Sequence, residues 1–442
     1  MRYRFTLWPL YVINICMHRF DSIITVTGTK GKTTTVHAIE DVLRRLNLHT
    51  IKVDTTGHFV NGMRRSTLDD SRRTWFFAPT VCPGRYLWEI HSYPELADGV
   101  AIFEASLGSS SYSGLGYRNH RVGVFLNVFE DHIGSSARIQ SKDDIVRAKD
   151  FVFQRITPGG WAVFNADDEY VVKALDKIPN SAHKLPIGLT FSHFDVKAHL
   201  RSGGVAITID KSGNQIILLR GDEKIVLADI SAIPWAFNGK FQPSVRNLLS
   251  AMGALYGYFD GNLPDDLRRV FEGVRLDKYG GRLTLLQGKR GVKVLADYAH
   301  EKFSLRQVAE LARTIADKDG RVIGVVRLAY DRTDELIKET AEYIAKNYDA
   351  FVVYDKIDGY WRQPDETLSG SRFSQKVGHV SQMLADGLRG NNMNVERIIR
   401  EDKAIQYVAE IARPGDVVVV IVNDDIERSI KFIQDSFEAE FI

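Results

Sequence analysis

Gly28, Gly31, Lys32 and Thr33 stand close together in the stretch ITVTGTKGKTTTVHAIEDVL, Ile24 to Leu43. The β-branched run Ile23, Ile24 and Val26 stops at Gly28, and Val36, Ile39, Val42 and Leu43 then recur at helical spacing. Strand, glycine loop and helix, in that order, make a cradle for phosphate. Backbone N–H groups of the loop and the helix dipole both attract anionic oxygens. Lys32 can reach terminal phosphates and the Thr33 hydroxyl can sit on Mg²⁺, with Thr29, Lys30 and Thr34 completing the loop. The spacing is shorter than G-x-x-x-x-G-K-[ST], because only Gly28 and Gly31 precede Lys32. A ligand-free Gly/Thr turn is the alternative, and the agreement of strand, loop and helix argues for nucleotide.

Further candidates fall at the ends of apolar runs. Glu104 closes VAIFE and is followed by the glycine- and serine-rich ASLGSSSYSGLGY. A carboxylate beside a phosphate loop is placed to bind Mg²⁺, which prefers oxygen; a capping or surface glutamate is the plain alternative. In LNVFEDHIG, Asn127, Asp131 and His132 cluster past a strand. Imidazole can ligate a metal and the polar groups can meet nucleotide, and a structural histidine stays equally open. Lys149, in IVRAKDFVF, either serves the site or snorkels from a helix. Asn165–Asp168 (NADD) offers a helix cap or a nucleotide contact. LADYAH brings Asp297, Tyr298 and His300 to a later strand end. Nucleotide held between two α/β domains would imply closure over substrate.

The elements that carry these residues alternate. VAIFEAS, VGVFLNVF and WAVFNAD are short continuous apolar runs, as buried parallel strands require, and helical stretches such as Lys142–Ile156 lie between them. This predicts an α/β fold: a P-loop, doubly wound, mostly parallel sheet over residues 1–280. Short alternating strands with Gly203-Gly204, Ser212-Gly213-Asn214 and Gly221-Asp222 turns predict a small antiparallel β insert at about 190–232. A helix is expected at Val245–Phe259 and a linker at Arg275–Arg282. VKVLADYAH, RVIGVVRLA, AFVVYDKID and DVVVVIVND then alternate with helices at Ser304–Lys318, Thr333–Asn347 and Lys403–Ala412, predicting a Rossmann-like α/β domain over 281–442.

The bulk numbers fit this reading. The chain has 442 residues, 44% hydrophobic and 26% charged, enough for two or three domains. A net charge of +2 gives no electrostatic case for nucleic acid. Two cysteines, Cys16 and Cys82, build neither a disulfide framework nor a zinc site, which suits a cytoplasmic protein. Phe5–Met17 imitates a signal peptide but contains Pro9 and Asn14 and runs into the first strand, so it is expected to be structure. No run is long enough for a membrane span.

GTKGKTTT, FEAS, LNVFEDHIG, AK, FNADD and DYAH, in this order, resemble the Mur ligase family. TTGHFVNG, PGRY, GLGY and FLNVFEDHIGS look most like the Mur-like ligase half of cyanophycin synthetase. The resemblance implies an ATP-dependent amide ligase. ATP activates a carboxylate as an acyl phosphate, an amino-acid amine attacks it, and ADP and phosphate leave. By position it implies Lys32 and Thr33 on phosphate and Mg²⁺, Glu104 and His132 on metal, and Lys149 as a lysine that becomes carbamylated and holds a second Mg²⁺. It also implies Asn247 near adenine, and Arg282, Asp297 and His300 at the nucleotide. The segment WAFNGKFQPSVRN lacks the family's His-Asn pair, Glu301 replaces the residue after DYAH, and GDVVVVIVNDD lacks a Lys-Gly-His. These departures weigh against a peptidoglycan role. With the P-loop at residue 28, neither a UDP-sugar domain nor an ATP-grasp domain is expected ahead of it. A partner carrying a second ligase activity, or a homo-oligomer, stays open. A P-loop kinase and a nucleotide-binding subunit of a larger synthetase are the competing readings. The acid and amine are unspecified, and Tyr354–Glu366, with Lys356 and Arg362, is the candidate specificity stretch.

Overall fold

A computed structural model describes residues 22–65, 79–80, 82–107, 114–130, 133, 138–276, 281–329, 332–356, 378–423 and 425–442. The N-terminal apolar stretch, Asp131, His132 and most of the Tyr354–Glu366 stretch therefore lie outside the described residues. The chain divides into two compact units, Met1–Arg275 and Leu276–Ile442.

Unit 1 begins with β1 (Ile23–Thr27), every residue of which is buried, and passes through the phosphate-loop segment into α1 (Lys32–Arg45). After β2 (Thr50–Asp54) come the short β3 (Gly57–Val60) and β4 (Met63–Arg65), then β5 (Val100–Glu104) and β6 (His120–Phe125). The expected long helix after Ser141 is two pieces, α2 (Lys142–Lys149) and α3 (Phe151–Gln154), parted at Asp150. Then follow β7 (Ile156–Asn165), α4 (Glu169–Lys173), β8 (His183–Ile187) and α5 (Val196–Arg201). Three strands, β9 (Val205–Ile209), β10 (Gln215–Arg220) and β11 (Glu223–Asp229), precede α6 (Gln242–Tyr258) and α7 (Leu267–Glu272).

The sheet order is β11-β10-β9-β8-β7-β6-β1-β5-β2-β3-β4. β1 pairs in parallel with β5 on one side and β6 on the other, so the winding reverses at β1. Ligands in such sheets gather at the carboxyl ends of the strands flanking that reversal. The antiparallel strands β9–β11 are not a separate layer. β9 meets β8 at the bridge Ile187↔Ile207, and the three extend the main sheet, while part of the expected insert is the helix α5. Ile24, Val26, Ile102, Phe103, Val124 and Phe125 have no solvent exposure. Burial of such side chains contributes about 1.5–3 kcal/mol each and holds the central strand ends rigid.

Unit 2 contains β12 (Thr284–Gln287), β13 (Lys293–Asp297), α8 (Lys302–Ile315), β14 (Val322–Val326), α9 (Asp334–Ile344) and β15 (Ala350–Val353). It continues with α10 (His379–Gly390), β16 (Val395–Arg397), α11 (Glu401–Ile411), β17 (Val417–Ile421), α12 (Ile426–Phe437) and β18 (Glu440–Phe441). Its strand order is β16-β15-β14-β17-β13-β12-β18, parallel from β16 to β13. Glu301, the departure after DYAH, is the N-cap of α8: its carboxylate accepts from Phe303 N at 2.9 Å and Ser304 N at 2.7 Å. No helix among the described residues is long and apolar enough to cross a membrane.

Candidate active site

The C-terminal ends of β1, β5 and β6 bring the predicted residues of unit 1 together. Gly28 has φ 148°, and a Cβ there would stand 2.8 Å from Leu126 Cβ and 3.2 Å from Asn127 N. Glycine is required because the segment after β6 lies flat against the loop. Gly31 is the N-cap of α1 with φ 84°, in the left-handed region, and a Cβ there would collide with the Asn247 side-chain amide. α6 packs on α1, and this places Asn247 over Gly31, where the phosphate loop enters the helix.

Glu104, 1% exposed, is the charged centre of the cluster. Its Oε2 accepts from the Thr33 hydroxyl at 2.8 Å and from Thr55 N at 3.4 Å, and its Oε1 lies 3.9 Å from Lys32 Nζ. The Thr33 and Thr55 hydroxyls are 3.0 Å apart. Lys32 Nζ also donates to Thr29 O at 3.0 Å. Lys149 is buried on α2 and donates to Thr27 Oγ1 at 3.4 Å, and that hydroxyl donates to Ala105 O at 2.9 Å. The lysine is thus tied to the ends of β1 and β5 rather than snorkelling to solvent.

Asn127 turns its amide onto the phosphate-loop backbone. Oδ1 accepts from Thr29 N at 3.1 Å and Lys30 N at 2.8 Å, and Nδ2 donates to Lys30 O at 3.0 Å. The Thr29 hydroxyl accepts from Phe129 N at 3.1 Å. The NADD carboxylates are structural. Asp168 caps α4 through Tyr170 N and Val171 N and also accepts from Val128 N at 2.8 Å. Burial raises its carboxyl above the ordinary value against those bonds. Burial also raises Asp167, but donors from Leu189, Thr190 and Ser192 outweigh it and hold that carboxyl low.

In unit 2 the predicted residues gather at the end of β13. Asp297 accepts from Leu283 N at 2.9 Å, the Arg282 guanidinium lies 5.0 Å over the Tyr298 ring, and His300 Nδ1 is 3.0 Å from Tyr298 O. A carbonyl only accepts, so Nδ1 carries the proton in that bond. Arg327, fully buried after β14, lies 4.7 Å over the Tyr298 ring as well and donates to Val422 O at 2.6 Å.

Thr55, Thr27 and Arg327 were not singled out from sequence. Thr55 carried a signal, since it lies in TTGHFVNG, but its meeting with Glu104 depends on β2 lying beside β5. Among the described residues no three or more His, Cys, Asp or Glu side chains cluster as a metal cage. A carboxylate with an adjacent hydroxyl still suits Mg²⁺, which takes few protein oxygens and fills its shell with water and phosphate.

A parallel sheet that reverses at a phosphate loop, with a lysine, a hydroxyl and an acid converging at its mouth, defines a nucleotide-binding α/β enzyme. The chain belongs to the Mur ligase family, a family of ATP-dependent carboxylate–amine ligases: residues 26–255 match the Mur ligase middle domain and residues 281–421 the Mur ligase, glutamate ligase domain. It is 26% identical over 420 residues to cyanophycin synthetase of Nostoc sp., covering 93% of this chain, and it spans only 42% of that protein's length. It is 24% identical over 408 residues to the UDP-N-acetylmuramoyl-L-alanyl-D-glutamate–2,6-diaminopimelate ligase of Parabacteroides distasonis, covering 90% of this chain and 72% of that one. In fold it is similar to the folylpolyglutamate synthase/dihydrofolate synthase of Yersinia pestis complexed with AMPPNP and Mn ion. The TM-score is 0.65 at 16% identity, covering 97% of this chain and 93% of that one.

Proposed function

We propose that this protein uses ATP to join an amino acid to the carboxylate of a peptide or polyamide acceptor, as its similarity to cyanophycin synthetase suggests. The observation that carries the reading is the convergence of Lys32, Thr33 and Thr55 on buried Glu104 at the phosphate loop.

A free carboxylate is a poor acyl donor, because oxide would have to leave. In the proposed reaction an acceptor carboxylate oxygen attacks the γ-phosphorus of ATP, and ADP departs with the bridging oxygen. The amine then attacks the acyl carbon, inorganic phosphate leaves, and the amine's proton passes to solvent or a base. The loop N–H groups and Lys32 hold the phosphates in line and stabilise charge on the transferring group, so catalysis is positioning and electrostatics. Thr33 and Glu104 would hold Mg²⁺, which neutralises phosphate charge when bound. His132 is proposed as a further ligand by its place in the family motif. Lys149 is proposed to carry a carbamate, which would convert a buried cation into an anion beside Thr27. Asn247, Arg282, Asp297 and His300 are retained as proposed nucleotide contacts.

The test is phosphate release from Mg-ATP across twenty amino acids and several acceptors: poly-aspartate, β-Asp-Arg peptides, poly-γ-glutamate and a UDP-muramoyl peptide. Mass spectrometry checks each positive well for a new amide. Phosphate release that needs both partners and yields an amide supports the ligase. Phosphate transferred to a stable product would make the protein a kinase, and activity only on adding a second ligase would make it a subunit.

A further inference from the structure

The Asn127 side chain binds the phosphate loop with both of its polar atoms, and the pattern of those bonds has directional content. Oδ1 accepts from Thr29 N and Lys30 N, while Nδ2 donates to Lys30 O. The backbone carbonyl of Asn127 accepts from Thr29 N as well, at 2.9 Å. These bonds grip three successive peptide groups: Gly28–Thr29 by its N–H, Thr29–Lys30 by its N–H, and Lys30–Gly31 by its C=O. Each peptide is planar and trans, so its N–H and C=O point in opposite directions. Drawing the Lys30 carbonyl toward Asn127 therefore turns the Gly31 N–H away from Asn127. The Thr29 and Lys30 N–H groups, in contrast, point to Asn127. One amide thus sorts the loop donors into a structural set and a set turned to the other side, with Gly31 in the second.

We propose that Asn127 is a positioning residue that sets the phosphate loop in its anion-binding shape before nucleotide arrives, and that it is not itself a nucleotide ligand. The inference rests on the nucleotide reading of the site. The chemistry needs an amide. An aspartate keeps the accepting oxygen but cannot donate to Lys30 O, and a leucine of similar size does neither. The geometry also depends on neighbours that carry no titratable group: Gly28 leaves no room for a Cβ beside Leu126, and Asn165 Nδ2 donates to Leu126 O at 2.9 Å, steadying the strand end that carries Asn127.

The experiment pairs amide hydrogen exchange of the nucleotide-free full chain with calorimetric binding of AMPPNP in the presence of Mg²⁺, for wild type, Asn127→Leu and Asn127→Asp. In Asn127→Leu, exchange across residues 28–31 should speed up while the rest of the chain keeps its protection. AMPPNP affinity should fall roughly tenfold to a hundredfold, the effect of losing about three bonds that order a loop. Asn127→Asp should speed exchange at the same peptide to a lesser degree, and it decides the exchange arm if the leucine variant loses protection everywhere. Weaker binding with unchanged exchange would make Asn127 a direct ligand and overturn the inference. Faster exchange with unchanged binding would also overturn it. Wild-type protein that binds no AMPPNP would overturn the nucleotide reading itself, a result distinct from both.

Discussion

Lys32, Thr33 and Thr55 share one acid, Glu104, and that sharing states what each is for. The buried carboxylate lies 3.9 Å from an ammonium and 2.8 Å from a hydroxyl at the mouth of the sheet, where a cation and a polyphosphate would meet. Glu104→Gln keeps a hydrogen-bond acceptor for Thr33 and removes the charge. Turnover, read as amino-acid-dependent ADP release, is expected to fall by roughly a hundredfold to a thousandfold, with the melting temperature shifted by no more than a few degrees. Turnover within a few fold of wild type would detach Glu104 from the reaction. His120 makes a different residue-scale statement. It is fully buried, its Nε2–H donates to Val152 O at 2.7 Å, and burial holds its pKa down at about 4. Unfolded chains bind a proton there near pH 6.5, folded ones only near 4, so stability is complete above 6.5 and is lost as pH falls toward 4. His58, lowered to about 4 by burial and by Arg65 and Arg85, shares the window. His120→Gln keeps a donor without titrating. Its melting temperature should fall less steeply than wild type between pH 6.5 and 4.5, by about 2 kcal/mol in equivalent stability. Parallel curves would contradict the assignment.

At the scale of elements, what was legible in the sequence was local. The strand, glycine loop and helix from Ile23 to Arg45 announce themselves through adjacent residues, and the apolar runs of β5, β6 and β7 read directly as buried strands. What was hidden depends on pairing. Asn127 reads as a nucleotide contact in the sequence, and only when β6 is laid beside β1 does the meeting of its amide with the Thr29 and Lys30 backbone come into view. Thr55 needs β2 beside β5 to reach Glu104. The turns between β9, β10 and β11 are plain, but their junction with the main sheet rests on the single bridge Ile187↔Ile207. The break at Asp150 is masked in sequence because apolar residues continue through it at near-helical spacing. The junction of loop and helix gives its own prediction. Gly31→Ala meets both a left-handed φ and the Asn247 amide, so it should destabilise the protein by about 1–3 kcal/mol and weaken AMPPNP binding. Adding Asn247→Ala should recover part of the lost stability, because it removes the collision and leaves the dihedral strain. A double variant no better than the single would assign the whole effect to the backbone.

At the scale of the whole molecule, the chain has two compact units, each with its own sheet and core. Separate cores predict two unfolding transitions in calorimetry. Mg-AMPPNP at about a hundred times its Kd should stabilise the unit carrying the phosphate loop by about 2.7 kcal/mol. A scan that nucleotide leaves unmoved would count against the proposed reading.

The strand order of unit 2 has a further consequence, for how the chain is made. β17 lies between β13 and β14, yet it leaves the ribosome well after both of them. Until Val417–Ile421 emerges, the facing edges of Lys293–Asp297 and Val322–Val326 lack the neighbour that will join them. At about 5–20 residues per second that wait lasts from several seconds to some tens of seconds. Bare apolar strand edges invite pairing with other chains. A stop codon ahead of Val417 is therefore expected to release this half of the protein with its sheet split in two and its strand edges open to chaperones.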